Sequence, residues 1–395
     1  MDQWAGAVRR LVIFLARRRS SNQKGEDREA SAFYALAMQA AVDPNDKTYA
    51  KQLKSAVLLE PLFADQPNHP GLAHYIIHAY DYPGLAPRAL VAARSYGEIA
   101  PSVPHALHMP AHTFTYMGLW QEAIRADTAA AAAARKQGDT NSELHSMDYL
   151  VYANLQSGEE QAAKTVLNDL NAMSLENKER MIAIDYTLAA APARYAIELR
   201  RWSDAAALTP NPSRFPATEA LSHYARALGA AHTGNIPLAR ENVQGLAALR
   251  DVLMTSKNDY WAKQVEMQRL TAAAWLAWAE ADVEKALTQM RAAAELEDST
   301  YKHPVTPGQL APARELLGDL LFELQRPAEA LAEYEATSRV TPNRFNGVYG
   351  AARSAELAGD SAKAKACYAQ LLALCVRGSS ARPELQRARM RMAQK

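Results

Sequence analysis

HPGLAHYIIHAYD (69–81), PHALHMPAHTF (104–114) and ELHSMDYLVYANL (143–155) decide how this chain is read. Of the ten histidines in the chain, His69, His74, His78, His105, His108, His112 and His145 fall in these segments. His74 and His78 are four apart, as are His108 and His112, and each member of the second pair follows its counterpart in the first by the same interval. Side chains four apart share one face of an α-helix. The interval between the pairs matches the period of a repeated pair of antiparallel helices, about 34 residues. The histidines therefore occupy equivalent positions in successive repeats, and stacking the repeats brings them together.

Outside these segments the chain reads as all-α. Its 395 residues exceed one ordinary core, which implies several domains or one elongated repeat array. Hydrophobic residues make up 49% and charged residues 22%, as in a folded globular protein. The net charge of +1 gives no electrostatic reason to expect nucleic acid as a partner. Alanine is abundant and β-branched runs are short, which favours helix. The two cysteines, Cys367 and Cys375, stand eight apart in one expected helix, too far along its axis for a disulfide.

Residues 1–27 form a basic leader that is expected to be poorly ordered. Its apolar run, Leu11 to Ala16, is too short to span a bilayer and lacks the pattern of a signal peptide. No integral membrane segment is expected, and a cytoplasmic location is favoured. A helical array is expected over 28–376, with its histidine-rich repeats at 69–157, and then a basic C-terminal tail at 377–395.

Small residues mark the repeats. Leu317-Gly318, Leu321, Ala330, Tyr334 and Pro342 make the clearest copy, and Ala352, Ala364 and Tyr368 repeat its pattern one period on. Ala89 and Pro101 mark the repeat that carries His74, Gly118 and Ala123 the next, and Gly158 and Ala163 the one after, beyond an insertion near Lys136 to Ser142. Weaker copies centre on Trp202–Ala205, Gly234–Ala239 and Asp282–Ala286, giving about eight helix pairs.

On these residues the chain resembles the tetratricopeptide-repeat superfamily. More narrowly, it resembles bacterial repeat proteins marked by HPGxxHYxxHA and HxxHMPxHxF, matched here by HPGLAHYIIHA (69–79) and HALHMPAHTF (105–114). The resemblance runs over roughly 27–374 and implies an α-solenoid wound as a right-handed superhelix. It also implies that the first repeats of the group are absent from this chain, and it carries no established reaction.

The resemblance further implies that positions 2, 5, 9 and 12 of each first helix line a concave groove. Those positions are Gly71, His74, His78 and Asp81 in one repeat, then His105, His108, His112 and Thr115, then His145, Asp148, Tyr152 and Leu155. Arg194, Tyr224, Glu315 and Asp319 continue the line. A peptide or protein in this groove is the expected partner, with Tyr152 and Arg194 as contacts and the guanidinium able to clamp a carboxylate.

Two imidazoles on one helix face can ligate one metal ion, and a donor from a neighbouring helix completes a set. The candidate ligands are His74, His78, His105, His108, His112, His145, Asp81 and Asp148, with zinc, iron, copper or nickel as the ion. The two aspartates are alternatively carboxylates that orient the imidazoles. His69, followed by Pro70, reads as a helix cap, and the isolated His223, His232 and His303 read as structural.

No phosphate loop, dinucleotide fingerprint or nucleophile elbow is present, so no nucleotide cofactor is expected. The preferred reading is a repeat scaffold carrying a metal- or small-ligand-binding patch. The alternative is a metal-dependent hydrolase or oxidoreductase that uses the same patch, so catalysis stays open.

Overall fold

The computed structural model describes residues 27–393 except 43–45, 176–180, 211 and 379–381. The basic leader, apart from Asp27, lies outside the described residues. Among the described residues the fold is all-α, with nineteen α-helices and one short 3₁₀ turn. It is a succession of antiparallel helix pairs. The chain divides into two compact units, Met1–Met117 and Gly118–Lys395.

The first unit contains α1 (Arg28–Ala40), α2 (Ala50–Asp65), α3 (Pro70–Ala79), α4 (Leu90–Ile99) and α5 (Pro104–Tyr116). Local chemistry sets the helix starts. The Asp27 carboxylate caps α1 by accepting from the Ala30 amide at 2.9 Å. His69 caps α3, its Nδ1 accepting from the Leu72 amide at 3.2 Å, with Pro70 at the first helical position. The other ring nitrogen of His69 meets Glu29 Oε1 at 2.8 Å and ties the start of α3 to α1. Pro104 likewise opens α5.

Inside the unit, Ala56, Leu59, Leu72 and Ile77 are fully buried or nearly so. Each large aliphatic side chain there contributes about 1.5–3 kcal/mol of transfer free energy. The Gln39 amide nitrogen donates to Ser55 Oγ at 2.7 Å and to the Tyr75 carbonyl at 3.0 Å, binding α1 to both α2 and α3. The helices α3 and α5 pack on each other directly, as do α4 and each of these two.

The second unit contains α6 (Trp120–Gln137), α7 (Thr140–Gln156), α8 (Glu160–Ala172), α9 (Ile182–Glu198), α10 (Trp202–Ala207), α11 (Pro216–His232) and α12 (Ile236–Thr255). Then follow α13 (Asp259–Ala279), α14 (Val283–Asp298), α15 (Ala313–Glu323), α16 (Pro327–Val340), α17 (Phe345–Leu357), α18 (Ser361–Leu374) and α19 (Pro383–Ala393). Alternate helices α7, α9, α11, α13, α15 and α17 pack side by side in that order, and α17 also packs on α7. The inner helices thus close a circuit. Long-range bonds seal it: Trp120 Nε1 donates to the Asn343 carbonyl at 2.8 Å, and the Phe345 amide donates to Gln156 Oε1 at 2.8 Å.

Alanines make the close approach between inner helices possible. Ala190, Ala193, Ala227, Ala230 and Ala274 show no exposed surface. The expected insertion at 136–142 is a longer α6, ended by Gly138 in the left-handed region (φ 70°) and followed by an Asp139 cap on α7. The basic tail expected from residue 377 onward carries α19, whose Leu385 and Ala388 are fully buried against α18. Cys375 stays a buried thiol and Cys367 a half-buried one, with no disulfide.

The pattern of small residues near 318 has a direct cause. The ring of Tyr334 on α16 lies against two glycines. A Cβ on Gly318 would come within 2.9 Å of that ring, and one on Gly350 within 2.3 Å. The Tyr334 hydroxyl donates to Asp319 Oδ1 at 2.6 Å, so the ring is not able to swing away without breaking that bond. Gly318→Leu is therefore expected to overpack the α15–α16 contact and cost about 1–3 kcal/mol. A thermal melt compared with Gly84→Ala, where a Cβ meets nothing within 4 Å, checks this; equal melting temperatures would show that the contact yields.

Candidate metal centre

Within the first unit, α3 and α5 bring the histidines of the two motifs together. His74 and His78, one turn apart on α3, have ring centroids 4.6 Å apart. His105, at the start of α5, reaches across, and its Nε2 stands 3.2 Å from His74 Nε2. One ring nitrogen from each of His74, His78 and His105 lies within 4.8 Å of the others. His74 and His78 are half-buried and His105 is exposed, so the cluster opens to solvent at the rim. The Tyr96 ring of α4 stacks on His74 at 5.6 Å and walls the inner side.

The second pair takes a different arrangement. His108 and His112 are buried, and their Nε2 atoms are 3.0 Å apart on α5. Behind them, Asp81 Oδ2 meets His112 Nδ1 at 3.0 Å. Asp81 therefore reaches the patch through the His112 ring. The expected single centre held jointly by both helix pairs is replaced by two groups. His105 joins the α3 pair, while His108 and His112 face each other in front of Asp81.

The imidazoles of the first group are held neutral. Burial, then the neighbouring His78, His105 and His112, push His74 down to about 3. Burial pushes His78 down to about 4, against the pull of Asp81. Burial and His112 also lower His105. Crowded imidazoles resist a shared positive charge for the same reason that like charges repel anywhere, more strongly where water is excluded. A neutral imidazole is the form that ligates a metal.

His145, Asp148, Tyr152 and Arg194 belong to the second unit. His145 sits on α7 with its ring edge-on to Tyr149, at 5.3 Å between centroids. The other three correct the expectation of an open groove there. Arg194 is fully buried and pairs with Asp148 at 3.3 Å. Its guanidinium also donates to the Gln309 carbonyl at 2.9 Å, the Gly308 carbonyl at 3.3 Å and Thr306 Oγ1 at 3.3 Å. The Tyr149 hydroxyl contacts the carbonyls of Pro304 and Thr306 at 3.2 and 3.1 Å. The 301–312 segment thus enters the interior of the unit, and side chains expected to meet a peptide partner hold it there.

This arrangement removes Asp148 from the ligand set and Arg194 from the contacts open to a partner. Burial raises the Asp148 carboxyl while Arg194 pulls it back, and burial beside Asp148 raises the Asp127 carboxyl well above the ordinary range. Tyr152 is likewise buried, with its hydroxyl accepting from Arg344 Nη1 at 2.9 Å.

Arg344 is the residue that sequence reasoning missed. It is 1% exposed, and it binds Glu198 Oε1 at 2.6 Å and Glu315 Oε1 and Oε2 at 3.0 and 2.9 Å. Glu315, expected to line the groove, is spent on this contact. Arg344 precedes α17 and belongs to no periodic position, so no helical pattern marks it; only its place between Pro342 and Phe345, at a repeat junction, could have drawn attention.

The isolated histidines make local contacts within the second unit. His223 Nδ1 meets Asn242 Oδ1 at 2.8 Å. His232 is stacked between Trp202 and Trp275, with centroids 3.9 and 4.2 Å away. His303 Nδ1 accepts from the Val305 amide at 3.1 Å. Among the described residues no helix is long and apolar enough to cross a membrane.

No protein-family model matches this chain, and no curated protein matches it. Solved structures of helical-repeat proteins do match. A tetratricopeptide repeat protein from Parabacteroides merdae is 14% identical, with 74% of this chain and 99% of that chain covered and a TM-score of 0.36. Yeast Tom70 is 12% identical over 100% of this chain and 96% of its own, with a TM-score of 0.33. The TPR domain of P58(IPK) is 14% identical over 93% and 99%, with a TM-score of 0.27.

Two outcomes follow from this geometry. The folded first unit resists protonation of His74, His78 and His105, whereas the unfolded chain accepts protons near the ordinary value of 6.5. The stability they contribute is complete above that value and declines as pH falls from there towards about 4. Thermal melts over this range should show the decline, and His74→Gln with His78→Gln should flatten it; a pH-independent wild type would contradict the shifts. In the second unit, Arg344→Ala leaves two buried carboxylates without their cation and should cost about 3–5 kcal/mol. Arg344→Lys should recover little of it, since an ammonium lacks the fork that serves both glutamates. Urea unfolding of the three proteins measures both values.

Proposed function

We propose that this helical-repeat protein binds a divalent transition-metal ion in its first unit, through His74, His78 and His105. The supporting observation is the 3.2 Å separation of His74 Nε2 and His105 Nε2, with a His78 ring nitrogen inside the same 4.8 Å cluster. Two imidazole nitrogens bound to one tetrahedral zinc, each at about 2.0–2.1 Å, stand about 3.3 Å apart. The nitrogens are thus near the spacing that coordination demands, and small rotations of half-buried rings supply the rest. An all-imidazole set suits zinc, iron, copper or nickel.

Protein or peptide binding is the general use of stacked helix pairs, and we assign that role to the scaffold as a whole. The interior of the second unit is filled by its own 301–312 segment, so a partner would use other faces. A metal-dependent enzyme is the second reading. Three protein ligands with an exposed rim leave a coordination position for water or substrate, as catalytic metal sites do.

The test uses protein purified without an affinity histidine tag, stripped with chelator and titrated with zinc by calorimetry. His74→Ala with His78→Ala should abolish binding at this centre, while His303→Ala should leave it intact. Binding should hold down to about pH 5 and weaken as pH falls towards about 4, where protons begin to compete for the His78 and His74 nitrogens. Unchanged titrations in the double variant would remove the proposal.

A further inference from the structure

We infer that the first unit holds a second metal position, formed by His108 and His112 with Asp81 as its orienting carboxylate. The inference rests on the metal-binding reading of this unit and adds a separate ion to it. The two Nε2 atoms, 3.0 Å apart, are aimed at one another from consecutive turns of α5. Each imidazole is nearly excluded from solvent, at 3% and 2% exposure. Without an ion the contact closes as one N–H···N hydrogen bond, His108 donating to the His112 lone pair; with an ion, both lone pairs turn onto it.

Asp81 distinguishes the pair from ordinary packing. Its carboxylate at His112 Nδ1, 3.0 Å away, places the ring proton on that side and leaves Nε2 with its lone pair facing His108. A carboxylate behind an imidazole is the arrangement that fixes the tautomer of a metal-ligating histidine and raises its basicity. His108 and His112 also repeat the spacing of His74 and His78 one period later, so the same two-imidazole device occurs twice on neighbouring helices.

Positive charge at His112 repels positive charge at His74, His78 and His105, so the second ion is expected to bind more weakly than the first. Asp81 meets His112 and also acts on His78, so its negative charge offsets part of the repulsion between the two ions. The first group is made of imidazoles alone.

Stoichiometry separates the two positions. The stripped full-length chain is titrated with cobalt(II), read by calorimetry and by the visible absorption of the bound ion. Two equivalents are expected for the wild type. His108→Ala with His112→Ala should bind one, and so should His74→Ala with His78→Ala. Asp81→Asn should retain both positions but lower the affinity of one by about 10–100-fold. Because His108 and His112 are buried, His108→Gln serves as a milder variant, and far-UV circular dichroism confirms that each protein is folded. One equivalent in the wild type, unchanged in folded His108→Gln and abolished by His74→Ala with His78→Ala, would overturn the second position and leave the first. One equivalent lost only on changing His108 and His112 would instead remove the first.

Discussion

Alternate helices of this chain pack side by side, and that single constraint governs what every inward-facing polar group meets. Equivalent positions on successive inner helices become neighbours in space. A polar side chain there has a short menu: a complementary side chain, the chain's own backbone, water or an ion. In the second unit the choice is internal. Arg344 lies between Glu198 and Glu315, and Arg194 between Asp148 and the 301–312 backbone. In the first unit imidazoles face imidazoles, and the His74, His78 and His105 group contains no carboxylate.

The second unit can bury so much charge because its circuit closes. Once α17 packs on α7, the inner surface loses water, and a guanidinium there must satisfy all its donors internally. Arg344 does so with three carboxylate contacts and a tyrosine hydroxyl, Arg194 with one carboxylate and three oxygens of the 301–312 segment. The irregular segment is tolerated in the interior only because its carbonyls find these donors and the Tyr149 hydroxyl. Breaking any one member leaves a buried charge or carbonyl without its partner, so loss of a single residue costs far more than the intact network adds over an apolar core.

Much of this is legible in the sequence. The repeat period, the i, i+4 histidines and the small residues at 318, 330 and 352 report local helix geometry and helix–helix contact, which depend on neighbours in sequence or one repeat away. His69 is readable as a cap because Pro70 follows it. What escapes are contacts set by closure. Arg344 reaches Tyr152 across 192 residues and Glu198 across 146, and nothing in either local pattern encodes the partner. The groove rule gives Arg194 to an outside partner because it knows the face a residue occupies but not whether another part of the chain covers it. His105 reads as a supporting ligand; its actual place beside His74 depends on how α5 sits against α3, which spacing alone leaves open.

The same closure argument explains why the histidine patch is the part of the molecule suited to an external ligand. Arg344 and Arg194, turned inward in the second unit, already have partners of opposite sign, so an added ion or peptide would have to displace an existing bond. The His74, His78 and His105 group contains no carboxylate; burial and the neighbouring imidazoles keep these three rings neutral, and the exposed rim at His105 gives access. The second unit satisfies its interior charges from its own chain, whereas the His74, His78 and His105 group offers ring nitrogens that the proposed ion would use.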